Sequence, residues 1–285
     1  MSQPPDEFAR ILESWRPAPE TVTDDLGRFP ATALAALLGS PKPGADFALP
    51  PLWSEVYLRS PRRVGDLGPD GHPAGDHLVP PLEQRRRMFG GGRIETGQPL
   101  RLGERATRRT SIGDVRLRQG RSGWLLLVTE EHEYLVDDVV RVREVRDIVY
   151  RRPQDVAHRP DPSVAAPADP VGSAPAYRLE PDERLLFCFS ALTYNAHRIH
   201  YDLRYAVEVE GHRDLLVHGP LSVIGAVEAG IRSTGRQPRA VDYRLRHPAF
   251  RGSPIDFHAA DGVEGSLVLG VQGGTVVVEA RLTWS

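Results

Sequence analysis

Apolar residues fall along this chain in two rhythms, one suited to helices and one to strands. At residues 29–39, FPATALAALLG keeps small and apolar residues together and stops at Gly39. Glycine enters left-handed backbone without steric cost, so it is the residue expected just past a helix end. The stretches that follow change period. GGRIETGQPL, ERATRRTSIGDVRLRQG, SGWLLLVTEEHEYLV and VVRVREVRDIVYR alternate apolar and polar positions between glycine-containing breaks, which predicts strands. The plan then repeats. ERLLFCFSALT (183–193) reads as a strand and GPLSVIGAVEAGIRS (219–233) as an apolar helix. RAVDYRLRHPAF, SPIDFHAA, GSLVLGVQG and GTVVVEARLTWS read as successive antiparallel strands.

Each half therefore offers one mostly apolar helix and four or five later strands. A helix that is hydrophobic nearly all round has to be buried, and a sheet wrapped around it meets that need. That arrangement is the hot-dog fold. The fold predicted is α+β, a double hot dog of two tandem halves, each an antiparallel sheet around a central helix. The boundary falls in RPQDVAHRPDPSVAAPADPVGSAPA, which has almost no large apolar side chain and cannot bury enough surface to fold alone. It is expected to be a linker over 152–176, between an N-terminal half at 1–151 and a C-terminal half at 177–285.

Composition narrows the classes of partner. Hydrophobic residues at 40% and charged residues at 26% of 285 are ordinary for a chain that buries a core. A formal net charge of −2 removes the overall electrostatic case for nucleic acid. Arginines cluster at 85–87 and in RRT at 108–110, either as solvated surface or as a seat for an anionic ligand such as cofactor phosphates. The single cysteine, Cys188, permits no internal disulfide and fits a reducing compartment. Inside LLFCFSAL it reads as a core residue rather than a nucleophile. No apolar run approaches the roughly 18 residues that span a bilayer, and MSQPPDEFARILESW lacks the charged-then-apolar order of a signal peptide. A soluble cytoplasmic protein with no membrane partner is the expectation.

The densest chemistry lies in NAHRIHYD, residues 195–202, which crowds Asn195, His197, His200 and Asp202 together. Four explanations compete. A metal site needs three or four ligands; His197, His200 and Asp202 have usable spacing, but there is no HExxH and no cysteine cluster. A serine hydrolase needs an activated serine, and the chain has no G-x-S-x-G. A third explanation has the histidines merely capping turns. Acid–base work by His200 with a polar partner is favoured, because an imidazole titrates near neutral pH and small shifts make it useful as acid or base.

The spacing Asn195-Ala-His197-Arg-Ile-His200-Tyr-Asp202 resembles the D-x-N-P-x-H-x-D motif of the MaoC-like hydratases, the (R)-specific enoyl-CoA hydratases, with residue type kept at His200 and Asp202. VHGPL at 217–221 looks like the segment that opens that family's central helix. LPPLWSEVYL (49–58), GPDGHPAGDHLVPP (68–81) and the run 85–112 resemble the hydroxyacyl-thioester dehydratase type 2 and mesaconyl-CoA hydratase branch. The resemblance implies hydration of the C2=C3 bond of an enoyl-CoA, or dehydration in reverse, with a branched or dicarboxylic acyl group as one option. It implies no cofactor or metal, the CoA thioester being the substrate itself. Carrier-bound 3-hydroxyacyl dehydration and acyl-CoA binding without turnover are the alternatives.

The family's first Asp is Asn195 here, and an amide cannot be a general base. Proton handling therefore falls on His200, with Asn195 orienting water or substrate and His197 a second acid–base or orienting group. Asp202 and Gly219 support: Asp202 could hold the His200 tautomer, and Gly219 would open the central helix where a thioester approaches closely. His218 belongs to the substrate-binding segment. Arg86, Arg87 and Arg93, with Arg85 beside them, could pair with CoA phosphates or an acyl carboxylate. His72, His77 and His132 look scattered, so the N-terminal half is expected to be non-catalytic and to supply part of the acyl pocket. A double hot dog carries its pseudo-dimer in one chain, so monomer and homodimer both stay open.

Overall fold

A computed structural model describes residues 3–82, 86–120, 123–152 and 174–284. The linker positions 153–173 and Arg85 lie outside the described residues. Four α-helices are present among them: α1 (Asp6–Ser14), α2 (Arg28–Leu38), α3 (Glu183–Leu192) and α4 (Gly219–Thr234). The strands are β1 (Glu20–Asp25), β2 (Arg86–Thr96), β3 (Arg105–Gly120), β4 (Gly123–Val136), β5 (Val139–Arg151), β6 (Tyr177–Leu179), β7 (Pro238–Leu245), β8 (Ile255–Asp261), β9 (Gly265–Gln272) and β10 (Thr275–Trp284).

All ten strands form one antiparallel sheet in the order β1-β3-β4-β5-β2-β7-β10-β9-β8-β6. Read from either edge inward, each set of five runs first, third, fourth, fifth, second, and the sets meet where β2 pairs with β7. The repeat extends to the turns. Asp137 and Asp138 close the β4–β5 hairpin and Gly273 and Gly274 close β9–β10, all with positive φ, as two-residue hairpins require.

The sheet wraps α4. Every residue from Leu221 to Gly230 is buried, against β6 and β7–β10. Over that span the helix has no solvent side, so its apolar sequence is satisfied only inside the curve. α2 is shorter and leaves Phe29 exposed while burying Ala31, Leu34, Ala35 and Leu38. Gly39 ends it at φ 64, the left-handed cap expected from the sequence. The two helices are joined: Arg232 of α4 donates to the Leu38 carbonyl at 2.9 Å, and Glu228 accepts from Ser40 at 2.5 Å.

Two expectations change. ERLLFCFSAL is α3, not a strand. Asp182 accepts from the Leu185 N–H at 2.8 Å, and Leu185, Leu186 and Phe189 face inward at helical spacing. Cys188 therefore lies on the exposed face. Gly91 and Gly92 of MFGGGR sit at the seam between halves, paired with β7. A Cβ on Gly91 would lie 2.6 Å from the Tyr243 carbonyl, and one on Gly92 would collide with the Val145 carbonyl. No described helix is long and apolar enough to cross a membrane.

The first half buries a charged network. Glu144 of β5 accepts from Tyr134 at 2.9 Å and from both ends of the Arg146 guanidinium at 2.7 and 2.9 Å. Arg146 also pairs with Glu55, which takes Arg59 at 3.2 Å. Burial works to raise the Glu55 carboxyl, but the flanking guanidinium groups outweigh it and hold it below its ordinary value. Removing one partner of a buried pair strands the other's charge, at a cost of about 3–5 kcal/mol. An exposed pair such as Arg93–Asp242 contributes about 0–1 kcal/mol. Arg146→Met is thus expected to lower the denaturant midpoint sharply and Arg93→Ala hardly at all; equal effects would contradict the account.

Candidate active site

The loaded segment hangs between α3 and α4. The Thr193 hydroxyl donates to the Phe189 carbonyl at 2.7 Å, closing α3, and Tyr194 turns the chain at φ 50. The Asn195 side-chain oxygen then accepts from the His197 N–H at 3.0 Å, a self-bonded Asx turn. Asn195 is thus a turn-former whose carbonyl is occupied. Asp202 is occupied too. Its Oδ1 caps the turn Tyr205–Val209 by accepting from the Tyr205 N–H at 3.0 Å, and its Oδ2 pairs with Arg198 at 2.7 Å. Its carboxyl is held below the usual range by that backbone bond and by Arg198. Asp202 does not hold the His200 tautomer.

The Leu216 carbonyl does. It lies 2.9 Å from His200 Nδ1, and a carbonyl only accepts, so Nδ1 carries the hydrogen. In the neutral ring Nε2 is then a lone-pair acceptor. The His200 ring stacks on His218, with centroids 3.7 Å apart and planes at 18°. His218 is 1% exposed, wedged against Phe189, with Nε2 2.8 Å from Ser190 Oγ. That burial leaves no surface for a ligand, so His218 positions His200 rather than contacting CoA. His197 meets His200 edge-on at 5.4 Å.

The row continues into the other half. His72 lies against His197 with ring centroids 4.0 Å apart. Its Nδ1 is 3.1 Å from Asp70 Oδ2, and its N–H donates to Asp70 Oδ1 at 3.0 Å. The loop bearing them is fastened to the second half: Arg198 donates to the Asp70 carbonyl at 2.9 Å and to the Pro69 carbonyl at 3.0 Å. Gly71, at φ 91, has no room for a Cβ, which would meet the Ala196 carbonyl. His72, taken from sequence as one of three scattered histidines, is the residue sequence reasoning missed; the signal was its place in GPDGHPAG. Asp70, His72 and His197 bring three ligating atoms within 4.8 Å of one another, a constellation that a metal could also use.

Electrostatics keeps the row's interior uncharged. Burial pushes the His200 imidazole down to about 4, opposed only by its bond to Leu216. Burial and the His200 ring hold His218 well below its ordinary value. Burial, with His72 and His200 beside it, does the same to His197. At neutral pH these three are neutral bases.

Gly219 opens α4, as expected, next to His218. A Cβ there would lie 2.6 Å from Leu245 Cδ1 and 2.9 Å from Phe89 Cδ1, so the missing side chain is also a packing requirement. The arginines are already engaged. Arg86 pairs with Glu210 at 3.1 Å. Arg87 pairs with Glu130 at 3.4 Å, and its charge is felt at His197. Arg93 pairs with Asp242 and Glu95 on the sheet face opposite Ile94 and Val241, which pack in the core with α4. Arg93 therefore faces away from the imidazoles, and its place as a substrate ligand is corrected: it ties β2 to β7.

Residues 53–251 match the hydroxyacyl-thioester dehydratase type 2 family. The chain is 40% identical over 244 residues to a mesaconyl-C(4)-CoA hydratase of Chloroflexus aurantiacus, covering 85% of this chain and 86% of that one. Its fold matches a MaoC-like dehydratase from Phytophthora capsici at TM-score 0.67 and 16% identity, over 97% and 98% of the two chains. It also matches a Mycobacterium tuberculosis protein described as a double hot dog at TM-score 0.56 and 14% identity, over 97% of each. The double hot dog expected from sequence is the fold of this chain.

The depressed imidazoles fix the sign of a pH effect. An unfolded histidine binds a proton near pH 6.5, while the folded His200 refuses it until about 4. Between those values the unfolded chain holds more protons, so stability falls as pH drops through that window and is unaffected above it. Melting temperature should be flat above about pH 7 and decline below about 6.5, and His218→Phe should lessen the decline. A wild-type curve no steeper than the variant's would refute this.

Proposed function

The chain belongs to the hydroxyacyl-thioester dehydratase type 2 family and is a hydro-lyase of CoA thioesters; we propose that it hydrates a branched, unsaturated dicarboxylic acyl-CoA of the mesaconyl-C4 type with His200 as base. The observation that carries the assignment is the Leu216–His200 bond, which presents an unprotonated Nε2 in a ring that stays neutral.

Water is a poor nucleophile and needs a base within hydrogen-bond reach. His200 Nε2 takes a proton from water as its oxygen bonds to C3, and the π electrons move onto the thioester oxygen as an enolate. The first turn of α4 lies beside the stacked His200–His218 pair. Its N–H groups have no acceptor within the helix, and Pro220 has none to offer, so Gly219 and Leu221 supply donors to the enolate. A proton on C2 completes the addition. The route uses the chain's own imidazoles and substrate water. The mesaconyl-C4 acyl group follows the relative of highest identity described above. Arg87 supports it: it shares a face of β2 with Phe89, which packs on Gly219, and its charge reaches His197. It is suited to a free carboxylate at the far end of the acyl chain.

Purified protein should consume mesaconyl-C4-CoA in water, followed by loss of the enoyl-thioester absorbance, and His200→Gln should lower kcat by about 10²–10⁴-fold. Arg87→Lys should raise KM for mesaconyl-C4-CoA and leave crotonyl-CoA alone. A rate unchanged in the His200 variant defeats the base assignment, and equal KM effects on both substrates defeat the dicarboxylic one.

A further inference from the structure

The motif at 195–202 lacks a usable carboxylate, since position 195 is an amide and Asp202 is spent on Arg198 and a turn. A carboxylate nevertheless stands at the end of the imidazole row, and it comes from the other half. We propose that Asp70 and His72 are the missing carboxylate-backed acid of this site: His72 carries the proton destined for C2, Asp70 stabilises it there, and His197 links His72 to His200.

Three observations meet on this assignment. Asp70 Oδ2 lies 3.1 Å from His72 Nδ1, so a proton on His72 has a counter-charge in hydrogen-bond contact. The other three rings of the row, His197, His200 and His218, are each driven toward neutrality by burial, and His72 is the ring that meets the Asp70 carboxylate. The loop is held to its target: Arg198 grips two of its carbonyls and Gly71 touches Ala196 closely enough to forbid any other residue. A half that merely lined an acyl pocket would not need such a fastening.

The proton count closes. Water gives one proton to His200 Nε2 and its hydroxyl to C3; the imidazolium of His72 gives one proton to C2. The site is then left with the charge on His200 instead of His72. His197, 5.4 Å from the one ring and 4.0 Å from the other, lies on the return path by which the proton passes back to His72 beside Asp70. Nothing is oxidised or reduced, and the net change is addition of one water.

This proposal rests on the hydratase reading, so both are tested in one assay on mesaconyl-C4-CoA with the full chain. Asp70→Asn keeps the side-chain oxygen that accepts from the His72 N–H and removes only the charge. It should lower kcat at least tenfold with KM within about threefold of wild type. His72→Gly should lower kcat about a hundredfold or more, and added imidazole should restore part of it. Either variant with wild-type kcat overturns the proposal, as does a His72→Gly loss that appears in KM alone or that imidazole does not relieve in a protein whose melting temperature is unchanged. Activity abolished by a chelator and restored by zinc also overturns it, making Asp70, His72 and His197 metal ligands instead. A wild type silent on every enoyl thioester sinks the hydratase reading itself, a result distinct from an active wild type with indifferent variants.

Discussion

A helix that is apolar on every side has to be enclosed, and the rest of this molecule is arranged by how α4 is enclosed. Five strands curve around it, and its N-terminus is a place where polar backbone emerges from the core. That end cannot be left dry. His218, at the position preceding the first turn, fills the space with an imidazole that is itself buried and held by Ser190. His200 stacks on His218 and is fixed by Leu216, so the reactive ring is placed by the same burial that encloses the helix. The geometry of the site is a consequence of where the core ends.

Burial also decides protonation. An imidazole taken out of water without a counter-ion prefers to be neutral, and three of these rings have been treated that way. Neutral rings suit a base and do not suit an acid. Addition of water needs both, so the acid has to lie where a carboxylate can hold a proton. In this fold that place is the rim, where the half-buried Asp70 and His72 of the first half reach the row. The proposed base and acid are separated by depth: one sits in the core at the start of a helix, the other in a loop clamped over it.

Much of the fold was legible because its periodicity was strong. β3, β4, β5 and β7–β10 run within a few residues of the stretches read as strands, and α2 and α4 end where glycine allowed them to. α3 was misread because ERLLFCFSAL is a short apolar run, in which buried strand and buried helix have the same composition. The Asp182 cap was the deciding cue. β1 and β6 escaped notice as short edge strands whose register comes from their partners, Thr110 and Phe257 among them. Within the site, the nearness of His197 and His200 was legible from spacing. The roles given to Asp202, His218 and Arg93 were not, because spacing says which side chains are near but not which hydrogen bonds they have already made. His72 could not be found from its neighbours in sequence: its partner His197 is far along the chain, and only the joining of the halves brings them together.

The two halves share a strand order and one continuous core, but they fill it differently. In the second half α4 fills the curve mostly with apolar and small side chains, its buried Glu228 being paired with Arg232 and Ser40. In the first, α2 is five residues shorter (11 against 16) and the sheet is longer, so α2 cannot cover it. Phe8 and Ile11 of α1 cover one end, over Leu126, Val128, Ile148 and Tyr150. Between that patch and the main core lie Glu55, Glu144 and Arg146 with Tyr134 and Tyr243, a polar filling whose charges are paired within the half. An imidazole in that interior also stays uncharged, since His132 is pushed down by burial and by Arg146. Neutrality is therefore common to both interiors; the second half adds a helix N-terminus beside the stacked His200 and His218 rings, and the first adds the half-buried Asp70 and His72 at the rim.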